Sequence, residues 1–331
     1  MAPLPKMNRK IPAKRNLYFS MKISSLSCDG AYGYRYRLTD PLLQSAIRRH
    51  GILTPIIVSE DVRPVVIAGH KRLHAAKALK MKDVPVIVAK HVTPRDAFLL
   101  NLVSNWKQPC SEMDRVKALG RAERDFGFKE RELLSEVMPL LGLPEDKATL
   151  ELYLKFDRMP VSIKDLIDVG GVALRGAAFL LKFSQKDQEY FAAKIGSQVK
   201  LTSSQWLQTG EWLSDMMKRT GKSLVDFCRQ SKVLEGLHVP GMDARTKADK
   251  FFACLKRLRS PNYSNFRERF EAKTSALLRD TKALRLEPVQ GFEEPGFELH
   301  ARVRTPGELD LLLQRIAEKR SALNSLFEIM L

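Results

Sequence analysis

The apolar run Val65-Val66-Ile67-Ala68 stops at Gly69 and passes at once into His70-Lys71-Arg72-Leu73-His74-Ala75-Ala76. A β-branched run that turns into a helix with no linker commits the chain to a sheet with a helix packed on it. The junction also favours one kind of ligand. Glycine lets backbone N–H groups approach a bound group closely, and the first turn of a helix carries unsatisfied donors and the positive end of the helix dipole. Lys71 and Arg72 add full positive charge there, and His70 and His74 add more when protonated. Such a junction is a phosphate cradle. The same residues equally suit a strand-turn-helix with a solvated basic face, since one glycine and two cations form a short motif.

The surrounding pattern is mixed α/β up to about His91. Met21–Leu26 alternates like a strand, and Asp40 caps a helix with Pro41 in its first turn. Ile56–Ser59 and Pro64–Ala68 predict a hairpin around Glu60-Asp61, followed by a helix over Lys71–Lys80 and a strand over Val84–Val88. Beyond Thr93-Pro94 the β pattern ends. Thr93 caps one helix, and Ser111 with Asp114 forms a capping box for the next. Helices are expected at Arg131–Met138, Glu145–Met159, Ile163–Ile167, Ala173–Lys182, Lys186–Ile195, Ser203–Lys218 and Ser223–Gln230. Gly236–Gly241 reads as a linker. A basic helical stretch, Ala244–Leu284, comes next, then strands at Leu286–Val289 and Phe297–Val303 and a last helix capped by Thr305. The expected organisation is α+β: a basic arm over 1–15, an α/β domain over 16–110, a helical domain over 111–235 and a small C-terminal α/β domain over 242–331.

Charge narrows the function. The 331 residues carry 56 Lys+Arg against 38 Asp+Glu, a net charge of +18, which favours a polyanionic partner, nucleic acid first. No apolar run approaches the roughly 18–20 residues of a membrane span, and the basic arm lacks the apolar core of a secretory signal. The cysteines, Cys28, Cys110, Cys228 and Cys254, form no C-x-x-C pair, which fits a reducing cytoplasm and excludes a zinc ribbon or disulfide framework. No G-x-S-x-G, H-E-x-x-H or P-loop sequence is present, so conventional hydrolase chemistry has no support.

Gly51, Pro55, Ile56 and Val58, then Ala68, Gly69, Arg72, Ala75 and Ala76, then Val84, Pro85 and Val88 follow one another without gaps. In that order they resemble the N-terminal domain of the ParB/RepB partition family, which reads G-x-x-x-P-I-x-V, A-G-E-R-R-x-x-A-A and V-P-V-I-V. The likeness extends more weakly to about residue 195 and does not cover the C-terminal hundred. It implies a ParB/sulfiredoxin-like fold that binds CTP with Mg²⁺ beside the phosphates, and a nucleotide-driven clamp on DNA. Carried over by position, Gly69, His70, Lys71, Arg72 and Thr54 would hold the nucleotide, with Arg35 or Arg37 adding a contact from ahead of the first helix. Asn105 matches the family's Mg²⁺ ligand in its E-N-x-Q-R box. This chain departs from the family at His70 and Ser104, where the family has Glu, and at Gln108, where it has Arg. Losing those groups argues against efficient hydrolysis while leaving binding intact. The resemblance further implies a homodimer, a ParA-type ATPase partner and a nucleoid-associated cytoplasmic location. A sulfiredoxin is set aside because the loop lacks cysteine. A small-molecule kinase of the same fold and a helix-turn-helix transcriptional regulator remain the competing readings.

Two regions are candidates for contacting DNA. The segment from Arg131 to Met159 has the size and position of a helix-turn-helix, with Lys147, Lys155 and Arg158 on its second helix. Glu145, Asp146 and Glu151 oppose them, and a packed helical pair is the other reading. The stretch 245–285 is richly basic and interleaved with Phe251, Phe252, Tyr263, Phe266 and Phe270. Lys256, Arg257 and Arg259 are its expected phosphate contacts. A surface helix pair with solvated cations is its alternative.

Overall fold

The computed structural model describes residues 19–27, 30–237, 239–278, 284–289 and 296–330. The basic arm over 1–15 lies outside them, as do Cys28, His238, Arg279 and Lys282. The chain divides into two units, Met1–Ser197 and Gln198–Leu331. The boundary therefore falls inside the expected helical domain, and the sheet domain and the helices up to residue 197 belong to one unit.

The first unit is built on a four-stranded sheet in the order β1-β4-β2-β3: β1 is Phe19–Lys22, β2 Ile56–Ser59, β3 Val66–Ala68 and β4 Asp83–Ala89. β2 and β3 form the expected antiparallel hairpin, β2 runs parallel to β4, and β1 is antiparallel to β4. Pro85 sits in a central strand, where a missing N–H normally breaks the ladder. Pairing with β2 starts one residue later, at Val86, so on that side Pro85 interrupts nothing. β1 ends sooner than its alternation predicts. Ile23–Ser25 forms a 3₁₀ turn instead, with the Ser25 hydroxyl donating to the Lys22 carbonyl at 2.7 Å. Ile56, Val58, Val66, Val84 and Val86 bury one face of the sheet against Leu26 and against Leu73 and Ala76 of α2, His70–Ala78. Helix α1, Pro41–His50, packs beside α2.

The helical part follows the predicted caps closely. Thr93 caps α3, Pro94–Ser104, and the Ser111–Asp114 capping box opens α4, Glu112–Arg124. Phe98 of α3 stacks on Phe126, just beyond α4, at 4.4 Å and ties the two helices together. The segment expected as one helix over Arg131–Met138 is a single turn, α5 (Glu130–Glu132), continued by a π turn over Leu133–Val137 and a 3₁₀ turn at Pro139–Leu141. Helix α6 is Lys147–Asp157, shorter than expected, because the Asp146 carboxylate accepts from the N–H groups of Ala148 and Thr149 and sets the start there. It crosses α4 at Gly120, where an added Cβ would fall 2.2 Å from the Asp157 carboxyl. After α7, Val161–Asp168, the helix expected over Ala173–Lys182 shrinks to a 3₁₀ turn at Ala178–Lys182. Gly176 lies in the lost half, where it weakens a helix by about 1 kcal/mol relative to Ala. Helix α8, Gln185–Phe191, ends in a π turn over Ala192–Gly196.

The second unit contains α9 (Ser203–Thr220), α10 (Leu224–Ser231), α11 (Ala244–Arg259) and α12 (Pro261–Leu277). The basic stretch is thus two helices, divided where Pro261 withdraws a backbone donor. Trp206, Leu213 and Met216 of α9 are buried, as are Ala248, Phe251 and Leu255 of α11, which packs on it. An antiparallel pair of strands, β5 (Leu284–Pro288) and β6 (Phe297–Ala301), precedes two closing helices, α13 (Pro306–Glu318) and α14 (Arg320–Met330). The single closing helix expected after Thr305 is thus broken at Lys319. Phe270, Leu286 and Leu326 form the small core beneath this sheet. Among the described residues no helix is long and apolar enough to cross a membrane.

Candidate functional site

The junction of β3 and α2 has the backbone its sequence demands. Gly69 takes φ = 100°, a left-handed conformation that L side chains rarely adopt. An added Cβ would lie 3.2 Å from the Arg72 guanidinium and 3.3 Å from Ile56 Cγ1. The Leu73 N–H bonds the Gly69 carbonyl at 3.0 Å and closes the first turn of α2. Ahead of it, the N–H groups of the first turn point out of the helix end, as they do at any helix start. Lys71 Nζ lies 3.4 Å from Asp40 Oδ2, in an ion pair that a stronger anion can displace.

Asp40 does two jobs there. Its Oδ1 accepts from the Leu43 N–H at 3.1 Å, capping α1, and that bond is the main reason its pKa lies below the ordinary carboxylate value. Asp40→Ala should therefore lower stability by about 1 kcal/mol at neutral pH. A depressed carboxylate stabilises the fold above its ordinary value of 3.8 and loses that contribution as pH falls further. Urea titrations should show wild type and variant converging below that pH; a gap that persists there would mean the cap is not what Asp40 supplies.

Arg72 is engaged within the fold. Its Nη1 donates to the carbonyl oxygens of Thr54 at 2.5 Å and Pro55 at 2.6 Å. Burial pushes its pKa down. The guanidinium lies against Gly69 and ties the chain entering β2 to α2. Thr54 reaches the site through this carbonyl. His70 packs against Gly33, with a ring carbon and nitrogen 3.3 Å from where a Cβ there would stand.

The segment 30–37 is held from α4, α7 and α3. Arg121 donates to three carbonyls, those of Gly30 at 2.8 Å, Ala31 at 2.6 Å and Gly33 at 2.6 Å. Arg35 pairs with Asp114 at 2.8 Å, each side chain 9% exposed, and Asp114 also accepts from the Tyr36 N–H at 2.7 Å. Burial, assisted by Asp114, pushes the neighbouring Cys110 thiol up to about 11, which keeps it an unreactive thiol. Arg37 points to α7. It pairs with Asp168 and, at 3.9 Å, with Asp165, which also accepts from the Tyr36 hydroxyl at 2.9 Å. Arg37 therefore joins this segment to the helical part of the unit instead of lying in the Gly69 cradle. Sequence reasoning missed Arg121, Asp165 and Asp168. Nothing in their local pattern signals partners so far away along the chain.

Asn105 ends α3 and donates its amide to Asn101 and Ser104. Asn101 in turn donates to the Tyr32 carbonyl at 2.6 Å, so this corner abuts segment 30–37. A hard cation such as Mg²⁺ favours carboxylate oxygens. The partners of Asn105 are neutral, and among the described residues no group of three or more His, Cys, Asp or Glu is arranged around a metal position. By themselves these residues do not fit a Mg²⁺ site.

The candidate DNA contacts fall into two groups. Lys147 pairs with Glu130 at 3.1 Å, Lys155 with Glu151 at 3.6 Å and Arg158 with Glu123 at 3.6 Å. These are exposed pairs, individually weak, and each of the three cations has an acidic neighbour. Arg257 pairs with Glu268 and Arg259 with Asp215, each at 3.7 Å, and Arg259 also lies over the Trp212 ring at 5.7 Å. Lys256 has no ion-pair partner among the described residues.

Residues 40–106 match the family model of the ParB N-terminal domain. A probable chromosome-partitioning protein ParB of Vibrio cholerae is 25% identical over 250 residues, covering 73% of this chain and 78% of that protein. Other ParB relatives are matched over shorter stretches; the chain spans 45% of the length of the one from Myxococcus xanthus. Among solved structures, the C-terminally truncated ParB of Caulobacter crescentus in complex with the centromeric parS site aligns with 14% identity and a TM-score of 0.37, covering 58% of this chain and 98% of that one. The same protein with CTP-γ-S aligns with 16% identity and a TM-score of 0.26, covering 54% and 98%.

Proposed function

We propose that this chain, whose residues 40–106 match the ParB N-terminal domain model, is a ParB-family DNA-binding partition protein whose Gly69 junction takes a nucleoside triphosphate, CTP by family, as a switch. The observation that carries the nucleotide half is the junction itself: a left-handed glycine leads straight into the first turn of α2, and that turn carries Lys71. Backbone donors and a helix end recognise phosphate irrespective of the base. The nucleotide, when bound, supplies triphosphate charge for Lys71 to exchange against Asp40. The chain's own part is to bind and to respond, since Ser104, His70 and Gln108 stand where the family has its Glu and Arg side chains. Segment 30–37 is the route of response. It touches the junction through Gly33 and His70, and it reaches α7 through Tyr36 and Arg37.

The DNA half rests on the net charge of +18 and on the match of residues 40–106 to the ParB N-terminal domain. A homodimer, a ParA-type ATPase and a nucleoid-associated location in the cytoplasm belong to the same reading. The test is calorimetry of the full chain with each of the common ribonucleoside triphosphates, alongside titration of duplex DNA at low and high salt. CTP should bind in preference to the others, and DNA affinity should fall steeply with salt. If no nucleotide binds, the cradle is a solvated helix start. If no DNA binds, the partition reading is lost. Phosphorylation of a metabolite would point to the kinase instead.

A further inference from the structure

The first unit carries an uncompensated run of positive charge away from both the Gly69 cradle and α6. Helices α1 and α2 begin side by side, where Asp40 meets Lys71 at 3.4 Å, and they pack on each other. Their last turns therefore lie on a common side. Arg48 and Arg49 close α1; Lys77 closes α2, and Lys80 and Lys82 follow in the turn into β4. The Ile23 N–H bonds the Lys82 carbonyl at 2.9 Å, which brings Lys22 of β1 to the same edge. All six side chains are exposed, and none has an ion-pair partner among the described residues.

The acids that could balance them are few. From Pro41 to Lys82 the chain has only Glu60 and Asp61, both in the β2–β3 turn. β2 runs parallel to β4 with Ser59 beside Ala89, so that turn is at the opposite end of the sheet from Lys82. Asp83 stands across from Lys22 in the β1–β4 ladder. Cations in a last helical turn do offset the helix dipole, but Lys80, Lys82 and Lys22 lie outside the helices and have no such role.

We propose that this patch is a second, sequence-independent contact for the DNA backbone, borne by the N-terminal domain. The occupant follows from the chemistry of the surface. Protein interfaces are enriched in aromatic residues and depleted in lysine. This edge carries four lysines and two arginines, and none of the exposed aromatic residues among the described ones, Phe19, Trp106 and Phe327, is among its members. Flexible and forked cations presented by three chain segments match a row of phosphates, which is bound by charge and counterion release and not by base edges. The proposal rests on the DNA-binding reading of the chain and adds a surface which that reading does not need.

The experiment is fluorescence anisotropy of the full chain with a labelled random-sequence duplex across about 50 to 200 mM salt. The five-fold reversal R48E/R49E/K77E/K80E/K82E should reduce the slope of log K against log salt by about 0.9 for each phosphate no longer neutralised, and weaken binding by about tenfold or more at the lower salt. The neutral counterpart, with Gln at all five positions, guards against misfolding and should fall between wild type and reversal. Nucleotide affinity, measured on the same variants, should stay as in wild type, because the Gly69 junction lies at the other end of α2. A wild-type slope in both variants overturns the proposal and leaves the patch to an acidic protein. Absence of DNA binding by the wild type itself overturns the functional reading, a separate result.

Discussion

Asp114→Ala is expected to lower the stability of the first unit by about 3–5 kcal/mol, the range for removing one partner of a buried ion pair. Asp114 Oδ2 accepts from Arg35 Nη1 at 2.8 Å and from the Ser111 N–H at 3.1 Å, while Oδ1 accepts from the Tyr36 N–H at 2.7 Å. Truncation leaves the Arg35 guanidinium charged and enclosed, with the Pro109 carbonyl as an acceptor that cannot balance its charge. It also opens the capping box of α4 and frees one side of segment 30–37. Against a total of about 5–15 kcal/mol for a typical domain, that is a large share. Asp114→Asn should fall between, because the amide oxygen still accepts one bond but no longer balances the charge. Equilibrium urea unfolding followed by circular dichroism measures both. A loss below about 1 kcal/mol for the alanine variant would mean that Arg35 finds water easily and that Arg121, Asn101 and the α7 carboxylates suffice to anchor the segment.

Asp114 also shows where sequence reasoning stops. Its capping role is local, three residues from Ser111, and is legible at a glance. Its ion pair with Arg35, 79 residues away, has no local signature. The same division runs through the fold. The hairpin of β2 and β3, the Gly69 junction and the caps at Thr93 and Thr305 follow from alternation, caps and breakers, so sequence and structure agree on them closely. Over Ala173–Lys182 the apolar spacing persists across Gly176 and suggests more helix than forms, and nothing in Leu309–Leu323 marks the break at Lys319. At the site, the motif predicts the strand-to-helix junction at Gly69 but does not tell which of its cations is engaged within the fold. Alignment puts Arg37 near the phosphates, yet two acids on α7 hold it. The members of the cationic edge of α1 and α2 are plain in the sequence too; only the packing of the two helices reveals that they meet.

The cations of the junction can be separated by what each loses on truncation. Planar and forked, Arg72 is the better phosphate ligand in isolation, and Lys71 the weaker point charge. In the structure the fork already has two carbonyl acceptors, Thr54 and Pro55, and sits against Gly69. Arg72→Ala should therefore be read as a folding defect. Charge-assisted hydrogen bonds contribute about 1.5–3 kcal/mol, and two carbonyls lose their donor at once, so a loss of about 3 kcal/mol is expected. Lys71 is bound only by a loosely held pair with Asp40, and its removal should change stability by less than about 0.5 kcal/mol. Its effect belongs to ligand affinity, a weakening of roughly tenfold, equal to about 1.4 kcal/mol. Calorimetry per folded molecule, with the folded fraction fixed by urea titration, keeps the two quantities apart. Arg72→Lys should recover little stability, since a single ammonium on a flexible stem cannot hold both carbonyls in the geometry of the fork. If Arg72→Ala instead keeps full stability and abolishes nucleotide binding, the guanidinium must leave Thr54 and Pro55 for the phosphates when ligand arrives, and the junction opens on binding instead of waiting preformed.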